Sequence, residues 1–539
     1  MTRRRGAGPR PAGRSSLRKD IAAAGPPFRR VLVANRGEIA VRIIRACREL
    51  GMESVAVYSD ADAGAAHVRL ADVAVRLGPA PATESYLRGD AIVRAAVDTG
   101  SEAIHPGYGF LAERAAFARA VEDAGLVFVG PSSAAIAALG DKLAARRLAL
   151  GADVPVVPGT LAPAAVDRPD AVGAVLEEAD AIGFPLLVKA AAGGGGRGMR
   201  RVTRPEDLPA ALASGAAESL AAFGEGSVYL EREIRPARHI EVQLLGDAAG
   251  TVAALGERDC SIQRRHQKLV EESPAPGLTG AERANLHDLA VRVGRAAALR
   301  SAATAEFLFD EDRRPWFLEV NARLQVEHGV TELVTGLDLV AEQFRIAAGA
   351  PLSPEVLAAA ARAGRPERHA IEVRLSAEDP ARDFAPAPGR IGRWTMPAGP
   401  GVRVDTAVEA GERVPPDYDP LIAKVLVVAA DRGAAIERLR RSLDEVTVGG
   451  IQTTLPFHRF VARHAGFAAG DLSIDWVAEH WDGEADRAHA LAKALLAAGL
   501  AARDGVLEPP ATALVPPGRE PADAWLREAR EAGVDRWPR

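Results

Sequence analysis

The sequence predicts an α/β protein with α+β character, a parallel sheet near its N-terminus and a β-rich part near its C-terminus. Three observations predict it. Short apolar runs alternate with helical patterns from Arg30 to Val129, a glycine-dense segment separates two apolar runs at 184–202, and strand-like runs dominate 369–450. Strands that alternate with helices pair in parallel, and the helices cover both faces of the sheet.

The elements of the N-terminal part can be predicted one after another along the chain. Arg30–Ala34 is a short apolar run, and apolar residues then recur at helical spacing over 38–50. Further strands are predicted at 55–58, 102–105 and 126–129, with helices near 90–98 and 112–124. The first strand–helix turn, Asn35–Glu38, lacks the glycine fingerprint of dinucleotide-binding proteins, so the topology does not predict NAD binding.

Five glycines follow an apolar strand pattern in the middle of the chain. Gly193, Gly195 and Gly198 match G-x-G-x-x-G, but that motif opens a helix in dinucleotide-binding proteins. Here the flanks, 184–190 and 199–202, read as two strands of a hairpin. Glycine backbone N–H groups can approach phosphates closely because no Cβ obstructs them. The segment therefore predicts a mobile lid over a phosphate site.

Two later strands, 305–309 and 316–321, are joined by a charged turn. Alternate residues of an extended chain share a face, so polar side chains after the turn point one way while the chain stays extended. These are Glu319, Asn321, Arg323, Gln325 and Glu327, and the apolar residues between them point the other way. The pattern predicts a strand with one face in a core and the other in a cleft.

The polar face has the chemistry of a phosphoryl-transfer site. Oxygen ligands such as Glu306, Glu319 and Asn321 suit Mg²⁺. Arg323 can bind a small planar anion with two hydrogen bonds, and Glu327 is a candidate general base. In such sites, positioning and charge neutralisation do most of the catalytic work.

Lysine is scarce, with six residues against 61 arginines. Lys142, Lys189 and Lys268 all stand in motifs where phosphate chemistry is expected. An ammonium meets phosphate as a compact, rotatable point charge, unlike a planar guanidinium. These three lysines are therefore candidate phosphate ligands.

Length and composition set the remaining expectations. A chain of 539 residues predicts roughly three to four domains. The net charge of −5 argues against general nucleic-acid binding, and no apolar run is long enough to span a membrane. Two cysteines cannot form a disulfide framework, so we expect a soluble, cytoplasmic protein. Residues 1–28 are rich in arginine and favour a disordered basic lead-in over a mitochondrial transit peptide.

Taken together, six motifs resemble the ATP-grasp superfamily and, within it, the biotin carboxylase family. The resemblance runs from about residue 29 to 475. Its motifs are Asn35–Ala40, His105–Phe110, Lys189–Met199, Glu257–Glu272, Glu319–Glu327 and Tyr418–Lys424. It implies a Rossmann-like N-terminal domain at 29–140, an ATP-grasp domain at 141–348 with its lid at about 157–230, and a mixed, β-rich C-terminal domain at 349–475. Residues 476–539 are left as a tail of unknown role.

The resemblance also implies roles for individual residues. The nucleotide phosphates would contact Lys142, Lys189, Gly194, Gly195 and Gly196. The adenine and ribose would lie against Glu231, Glu233, Ile234, Leu308 and His239. Magnesium or manganese would be held by Glu306, Glu319 and Asn321.

The same resemblance assigns the bicarbonate and biotin contacts. Bicarbonate would be bound by Arg323, Gln325 and the Val326 amide, with Glu327 as its general base. Gln263, His266 and Lys268 would border the phosphate and bicarbonate region. Arg374 would stabilise the biotin enolate, and Tyr108 would lie beside the biotin ring.

Four positions depart from the family pattern: Gly329 for proline, Ala322 for threonine, Ser273 for alanine, and Thr454 at a position that varies. None removes a charged or coordinating group. The Met-Lys-Met sequence that carries biotin in this family is absent. The resemblance therefore implies ATP- and bicarbonate-dependent carboxylation of biotin on a separate carrier protein, with a carboxyltransferase as partner and a homodimer or larger complex as the assembly.

The expected reaction is the first half-reaction of an acyl-CoA carboxylase complex. A biotin carboxylase that serves pyruvate carboxylase is an alternative, as is another ATP-grasp ligase that joins a carboxylate to an amine. A non-catalytic scaffold is a third possibility. A Cys/His metal site is not predicted because further soft ligands are missing, and Cys260 is interpreted as a packing residue.

Overall fold

The computed structural model describes residues 25–164, 172–191 and 199–503, and the chain divides into two units after Trp481. The first unit begins with a five-stranded parallel sheet in the order β3-β2-β1-β4-β5. Its strands are β1 Arg30–Val33, β2 Glu53–Ser59, β3 Val73–Gly78, β4 Ala103–His105 and β5 Val127–Phe128. Its helices are α1 Gly37–Glu49, α2 Ala66–Leu70, α3 Gly89–Asp98, α4 Ala115–Asp123, α5 Ser133–Gly140 and α6 Lys142–Gly151.

A small three-stranded antiparallel sheet follows, in the order β7-β6-β8. Its strands are β6 Leu186–Ala190, β7 Arg200–Val202 and β8 Val228–Arg232, flanked by α7 Val172–Ile182 and α8 Leu208–Phe223. β6 and β7 pair from Leu186 opposite Val202 to Val188 opposite Arg200, so the predicted hairpin flanks are confirmed. The glycine segment that joins them, with Gly194, Gly195 and Gly196, lies outside the described residues.

An antiparallel sheet of eight strands forms the centre of the first unit, in the order β13-β12-β9-β10-β11-β14-β21-β19. These strands are β9 Arg238–Gly246, β10 Val252–Arg264, β11 Gln267–Ser273, β12 Ser301–Phe309, β13 Pro315–Asn321, β14 His369–Ser376, β19 Val402–Thr406 and β21 Leu421–Ala429. β11 pairs with β14, so this sheet continues across the predicted domain boundary at residue 348. The domain boundaries themselves stay predictions.

Short strands and helices complete the first unit. The short strands are β15 Glu378–Asp379, β16 Ala385–Pro386, β17 Gly389–Arg390, β18 Arg393–Thr395, β20 Arg413–Val414 and β22 Thr447–Gly449. The helices are α9 Gly280–Ala296, α10 His328–Thr335, α11 Leu339–Ala347, α12 Pro354–Arg362, α13 Arg432–Glu445, α14 Leu455–Arg463, α15 Ala465–Ala469 and α16 Trp476–His480. In the second unit, the described part is one helix, α17 Gly483–Arg503.

Apolar burial explains why these elements form. In α1, Ile39, Ile43, Ile44 and Cys47 are at most 2% exposed, which follows the predicted helical spacing. On β14, Ile371, Val373 and Leu375 face one core, while the alternate residues Glu372 and Arg374 face the opposite side of the sheet. This second face turns charged groups towards the site described below.

Most predicted elements match the structure within a few residues, and two differences matter. The strand β3, Val73–Gly78, was not predicted; three of its six residues are exposed and one is buried, so it lacks the buried apolar run of the other strands. The extended run predicted from Glu319 to Glu327 ends at Asn321, and Glu327 begins the turn into α10. Among the described residues, no helix has both the length and the apolar character that crossing a bilayer requires.

Candidate active site

Four strands of the large sheet and the start of α10 bring charged side chains together in the first unit. Lys268 on β11 donates from Nζ to Glu327 Oε1 at 2.7 Å, to Glu306 Oε1 at 2.9 Å, and also to Glu241. Arg374 on β14 donates from Nη2 to Glu327 Oε2 at 3.0 Å and from Nε to Glu271 at 2.5 Å. Both carboxylate oxygens of Glu327 are therefore paired with a cation, and the side chain is completely buried.

The ionisation states follow from this arrangement. Burial alone would raise the pKa of Glu327, but Lys268, Arg374 and Arg258 hold that pKa well below its ordinary value. Burial would lower the pKa of Lys268, but Glu241, Glu306 and Glu327 raise it well above its ordinary value. At neutral pH the site holds an ionised carboxylate and a charged ammonium, so Glu327 can accept a proton.

Arg323 lies in the loop after β13 with its guanidinium held on three sides. Its Nε donates to Glu113 Oε2 at 2.7 Å, its Nη1 to Gln325 Oε1 at 2.9 Å, and its Nη2 to Asn321 Oδ1 at 3.0 Å. Glu113 also accepts from the Ala322 N–H at 3.1 Å. Although β13 ends early, the loop keeps the predicted polar residues together, because Ala322 and Leu324 are anchored in the apolar core.

Lys142 and Lys189, the predicted phosphate ligands, each contact a glutamate. Lys142, the first residue of α6, has its Nζ 3.6 Å from Glu319 Oε2. Lys189 on β6 donates to Glu231 on β8, and Glu231 also accepts from the buried Arg146. Burial would raise the pKa of Glu231, but Lys189 and Arg146 hold it below its ordinary value. These ion pairs tie the small three-stranded sheet to α6.

The residues predicted to hold magnesium fit a hard cation. Glu306 and Glu319 stand directly opposite each other on β12 and β13, and Asn321 follows on the same face of β13. All three offer oxygen atoms, as Mg²⁺ requires. The ammonium of Lys268 contacts Glu306 as well as Glu241 and Glu327. The Glu319 side chain is 31% exposed, so Glu306, Glu319 and Asn321 would hold a cation with an oxygen ligand that solvent also reaches.

A cleft of about 410 Å³ adjoins the same cluster. Its lining includes Tyr108, Lys268, Arg323, Val326 and Arg374. The Tyr108 hydroxyl donates to Glu38, and the Arg374 carbonyl accepts from Thr454 Oγ1 at 2.9 Å. The structure thus brings the residues predicted for biotin to the wall of one cavity that also reaches the predicted bicarbonate ligands.

The remaining predicted residues surround this centre. Gln263 and Lys268 are register partners on β10 and β11, and His266 is exposed on the turn between them, with a φ of +65°. Leu308 stands opposite His239 on β12 and β9, and His239 Nε2 lies 3.1 Å from Glu306 Oε2. Glu233 and Ile234 follow β8, where Glu233 pairs with Arg201 at 2.6 Å.

Five acidic or basic residues of the site were not assigned roles from the sequence: Glu38, Glu113, Glu241, Glu271 and Lys424. Glu38, Glu271 and Lys424 stand inside the quoted motifs, and Lys424 is one of only six lysines, so a signal existed for these three. Glu113 and Glu241 lie outside every motif. Cys260 is fully buried, and burial raises the pKa of its thiol well above its ordinary value, which agrees with a packing residue.

Comparisons with known proteins agree with this geometry. The family described as "Biotin carboxylase, N-terminal domain" matches residues 27–136, "Carbamoyl-phosphate synthase L chain, ATP binding domain" matches 141–355, and "Biotin carboxylase C-terminal domain" matches 372–479. The biotin carboxylase of Pseudomonas aeruginosa is 46% identical over 448 residues, which are 83% of this chain and 97% of that relative. A pyruvate carboxylase subunit of Methanothermobacter thermautotrophicus is 45% identical over 84% of this chain and 90% of its own length.

A solved structure is similar over the same part of the chain. The biotin carboxylase domain dimer of Hydrogenobacter thermophilus 2-oxoglutarate carboxylase, in complex with MgADP, ADP and bicarbonate, is 42% identical with a TM-score of 0.79. The match covers 84% of this chain and 98% of that one. The buried carboxylate cluster, the paired glutamates of β12 and β13, and these relatives lead to one conclusion: the chain belongs to the biotin carboxylase family, whose members are ATP-grasp ligases.

Proposed function

We propose that this chain uses ATP to activate bicarbonate and then carboxylates biotin that is attached to a separate carrier protein. One observation carries the proposal. Glu327 is a buried, ionised carboxylate held between Lys268 and Arg374, and it adjoins the Arg323 loop and the carboxylate pair Glu306 and Glu319. In our proposal a general base, an anion-binding guanidinium and a cation site therefore belong to one cluster of charged side chains.

In the first step, a bicarbonate oxygen attacks the γ-phosphorus of ATP and ADP leaves, which gives carboxyphosphate. Glu327 accepts the bicarbonate proton, and Arg323, Gln325 and the Val326 amide orient the anion. In our proposal Lys142 and Lys189 neutralise phosphate charge, and the predicted phosphate contacts also include Gly194, Gly195 and Gly196. Magnesium bound by Glu306, Glu319 and Asn321 would offset the charge of the phosphate oxygens.

In the second step, carboxyphosphate breaks into CO₂ and phosphate, and the phosphate takes the proton of the biotin ureido nitrogen. That nitrogen then forms a bond to CO₂. Arg374 stabilises the negative charge that develops on the ureido oxygen, and Tyr108 contacts the biotin ring. The cleft supports this assignment because its lining includes both Arg374 and Tyr108 beside the bicarbonate ligands.

The partners belong to the same proposal. The chain has no Met-Lys-Met sequence, so biotin arrives on a carrier in trans, and a carboxyltransferase consumes the product. We propose a cytoplasmic homodimer or larger complex, since the Hydrogenobacter relative is described as a dimer. We propose an acyl-CoA or pyruvate as the final acceptor, selected by the carboxyltransferase; the Methanothermobacter relative is named for pyruvate and the Hydrogenobacter one for 2-oxoglutarate.

Bicarbonate-dependent ATP hydrolysis, measured with and without free biotin, tests the proposal. We expect ADP release to require bicarbonate and magnesium, to rise with biotin, and to accompany transfer of labelled bicarbonate carbon to biotin. Glu327→Gln should lose most of the turnover while ADP binding changes little, because Glu327 contacts the anion and not the nucleotide. ATP turnover that an acid and an amine drive, without bicarbonate, would contradict the proposal. A streptavidin blot that labels the purified chain would contradict the carrier in trans.

A further inference from the structure

Lys424 is the only one of the chain's six lysines that is completely buried in the described residues. It lies on β21, where its Nζ donates to the Val326 carbonyl oxygen at 2.7 Å. The ammonium is also 3.4 Å from Glu38 Oε1 and 3.7 Å from Asp405 Oδ2. No predicted catalytic role requires a lysine at this place, so its burial needs another explanation.

The register of the large sheet puts Lys424 in a charged row. It stands directly opposite Arg374 on β14 and opposite Asp405 on β19, so all three side chains leave the same face of the sheet. Asp405 has its own partner in Arg403, through two hydrogen bonds of 2.9 and 2.7 Å. Because Asp405 is already paired with Arg403, the closest contacts of the Lys424 ammonium are the Val326 carbonyl oxygen and Glu38.

The Val326 carbonyl belongs to the peptide unit that leads into Glu327. A hydrogen bond from a charged donor to this carbonyl fixes the plane of that peptide, and with it the direction in which the Glu327 side chain leaves the backbone. Glu327 stands at the N-terminal end of α10, where its carbonyl oxygen accepts from the Val330 N–H at 3.3 Å, so the Lys424 contact orients the peptide on the other side of this residue. Lys424 thus acts on the general base through the main chain.

Glu38 extends the contact to the biotin side of the cleft. It is buried in α1, faces Lys424, and accepts a hydrogen bond from the Tyr108 hydroxyl. Tyr108 and Val326 both line the cleft, so one continuous path runs from Tyr108 through Glu38 and Lys424 to the Val326–Glu327 peptide.

Stability alone does not account for a buried lysine. Taking a charged ammonium out of water is costly, and well-packed apolar replacements of buried ion pairs are often neutral or stabilising. A group retained at such a place is therefore a candidate for a positional role.

We propose that Lys424 is a positioning residue for bicarbonate activation, and that it couples the biotin contact Tyr108 to the bicarbonate site through Glu38. The inference rests on the proposed function. When the pocket beside Tyr108 is filled, the Glu38–Lys424 contact holds the Val326–Glu327 peptide in the orientation that binds bicarbonate. Lys424 touches neither substrate in this proposal.

The test is steady-state ATP hydrolysis by the full chain and by Lys424→Met, which keeps an unbranched side chain of similar size and removes its charge. We expect the KM for bicarbonate to rise about tenfold or more, the scale of one lost hydrogen bond to a charged group. The KM for ATP should stay within about twofold, since among the described residues Lys424 shares no hydrogen-bond or ion-pair partner with Lys142 or Lys189. The stimulation of ATP hydrolysis by free biotin should fall several-fold. Lys493→Met, at an exposed lysine of α17, is the matched control and should change none of these values.

Glu38→Gln supplies the second variant. It keeps an acceptor for Tyr108 but removes the charge that faces Lys424, so it should shift both readouts in the same direction by a smaller factor. The double variant should be no worse than Lys424→Met alone, because both changes break one path. A fall in kcat with an unchanged KM for bicarbonate would mean a structural role only and would overturn the proposal.

If Lys424→Met does not fold, Glu38→Gln tests the proposal instead. An unchanged KM for bicarbonate and an unchanged stimulation by biotin in that variant would overturn the proposal. If wild-type protein shows no bicarbonate-dependent hydrolysis, the proposed function itself fails. If the wild type is active and Lys424→Met has the same KM for bicarbonate and the same biotin stimulation, the inference about Lys424 fails while the proposed function stands.

Discussion

The guanidinium of Arg323 is held by Glu113, with 2.7 Å between Arg323 Nε and Glu113 Oε2. The same carboxylate accepts the N–H of Ala322 at 3.1 Å, so it fixes both the side chain and the backbone of the loop after β13. Glu113 precedes α4 in the N-terminal part of the chain, about 210 residues away in sequence. The predicted bicarbonate site is therefore shaped by a residue from the turn before α4, far away in sequence.

Replacing Glu113 tests this support. Glu113→Ala frees the Arg323 guanidinium and the Ala322 N–H, so the anion site loses its preorganised shape. We expect the KM for bicarbonate to rise about tenfold, with little change in the KM for ATP. Steady-state ATP hydrolysis at varied bicarbonate measures it, and Glu84→Gln, at an exposed glutamate of the same part of the chain, is the control. An unchanged KM for bicarbonate would show that Arg323 keeps its place without Glu113.

The ionisation of Glu327 predicts the acid side of the pH profile. The Lys268 and Arg374 cations overcome the effect of burial and hold the pKa of Glu327 well below its ordinary value of 4.5. A base with a lowered pKa stays ionised as the pH falls, so kcat/KM for bicarbonate should stay level from neutral pH to about pH 5. The rates must be referred to the bicarbonate actually present at each pH. An acid limb near pH 6.5 that Glu327→Gln removes from the residual activity would contradict the assignment.

The first turn of α9 predicts a local dependence of stability on pH. Glu282 and Thr279 form a capping box, with the Thr279 N–H donating to Glu282 Oε2 at 2.7 Å. Hydrogen bonding from Arg313 and from Thr279 lowers the pKa of Glu282 from 4.5 to about 2. Because the folded pKa is below the unfolded one, this stabilisation is complete above pH 4.5 and is lost as the pH falls towards 2.

Glu282→Gln should therefore loosen the start of α9 at neutral pH and matter less in acid. We expect a cost of about 1 kcal/mol or less, because the contact is largely solvent-exposed. Hydrogen exchange of the amides in the first turn of α9, followed at pH 6 and at pH 3, measures it. Glu311→Gln in the neighbouring exposed turn is the control. Equal protection in wild type and variant at pH 6 would refute the prediction.

A side chain at Gly329 would collide with its neighbours. A Cβ at this position would lie 2.4 Å from Leu426 Cδ2 and 3.2 Å from Glu372 Oε2. Gly329→Ala should therefore destabilise the fold by about 1–3 kcal/mol. Leu426→Ala in the same chain should recover part of the loss, since the two sites share one space.

Thermal unfolding of the two single variants and the double variant measures this coupling. Gly280→Ala is the matched control, because a Cβ at Gly280 meets no atom within 4 Å. Alanine is the better helix former, so that variant should be neutral or slightly stabilised. Additive effects of Gly329→Ala and Leu426→Ala would mean that Leu426 does not occupy the space above Gly329.

The sequence determined most of the local structure. Alternating apolar runs predicted β1, β2, β4, β5 and α1. The spacing of apolar residues such as Ile39, Ile43 and Cys47 indicates which face of an element is buried. Glu306 and Glu319 were predicted together as oxygen ligands of a metal ion, and the strand register places them opposite each other. The family could also be predicted, because its motifs are contiguous in the chain.

Only the tertiary structure decided which distant groups meet. Glu113 and Glu241 carry no local signal, since a single glutamate in a helical or strand pattern is equally consistent with a solvated face. Their role arises from contacts with Arg323 and Lys268, which lie far away in sequence. The buried charge of Lys424 is similar: its residue type was visible in the sequence, but the strand partners and the Val326 carbonyl that hold it come from the packing of the sheet. Long-range charge pairing leaves no periodic trace in a sequence, and this is why the fold could be predicted further than the site.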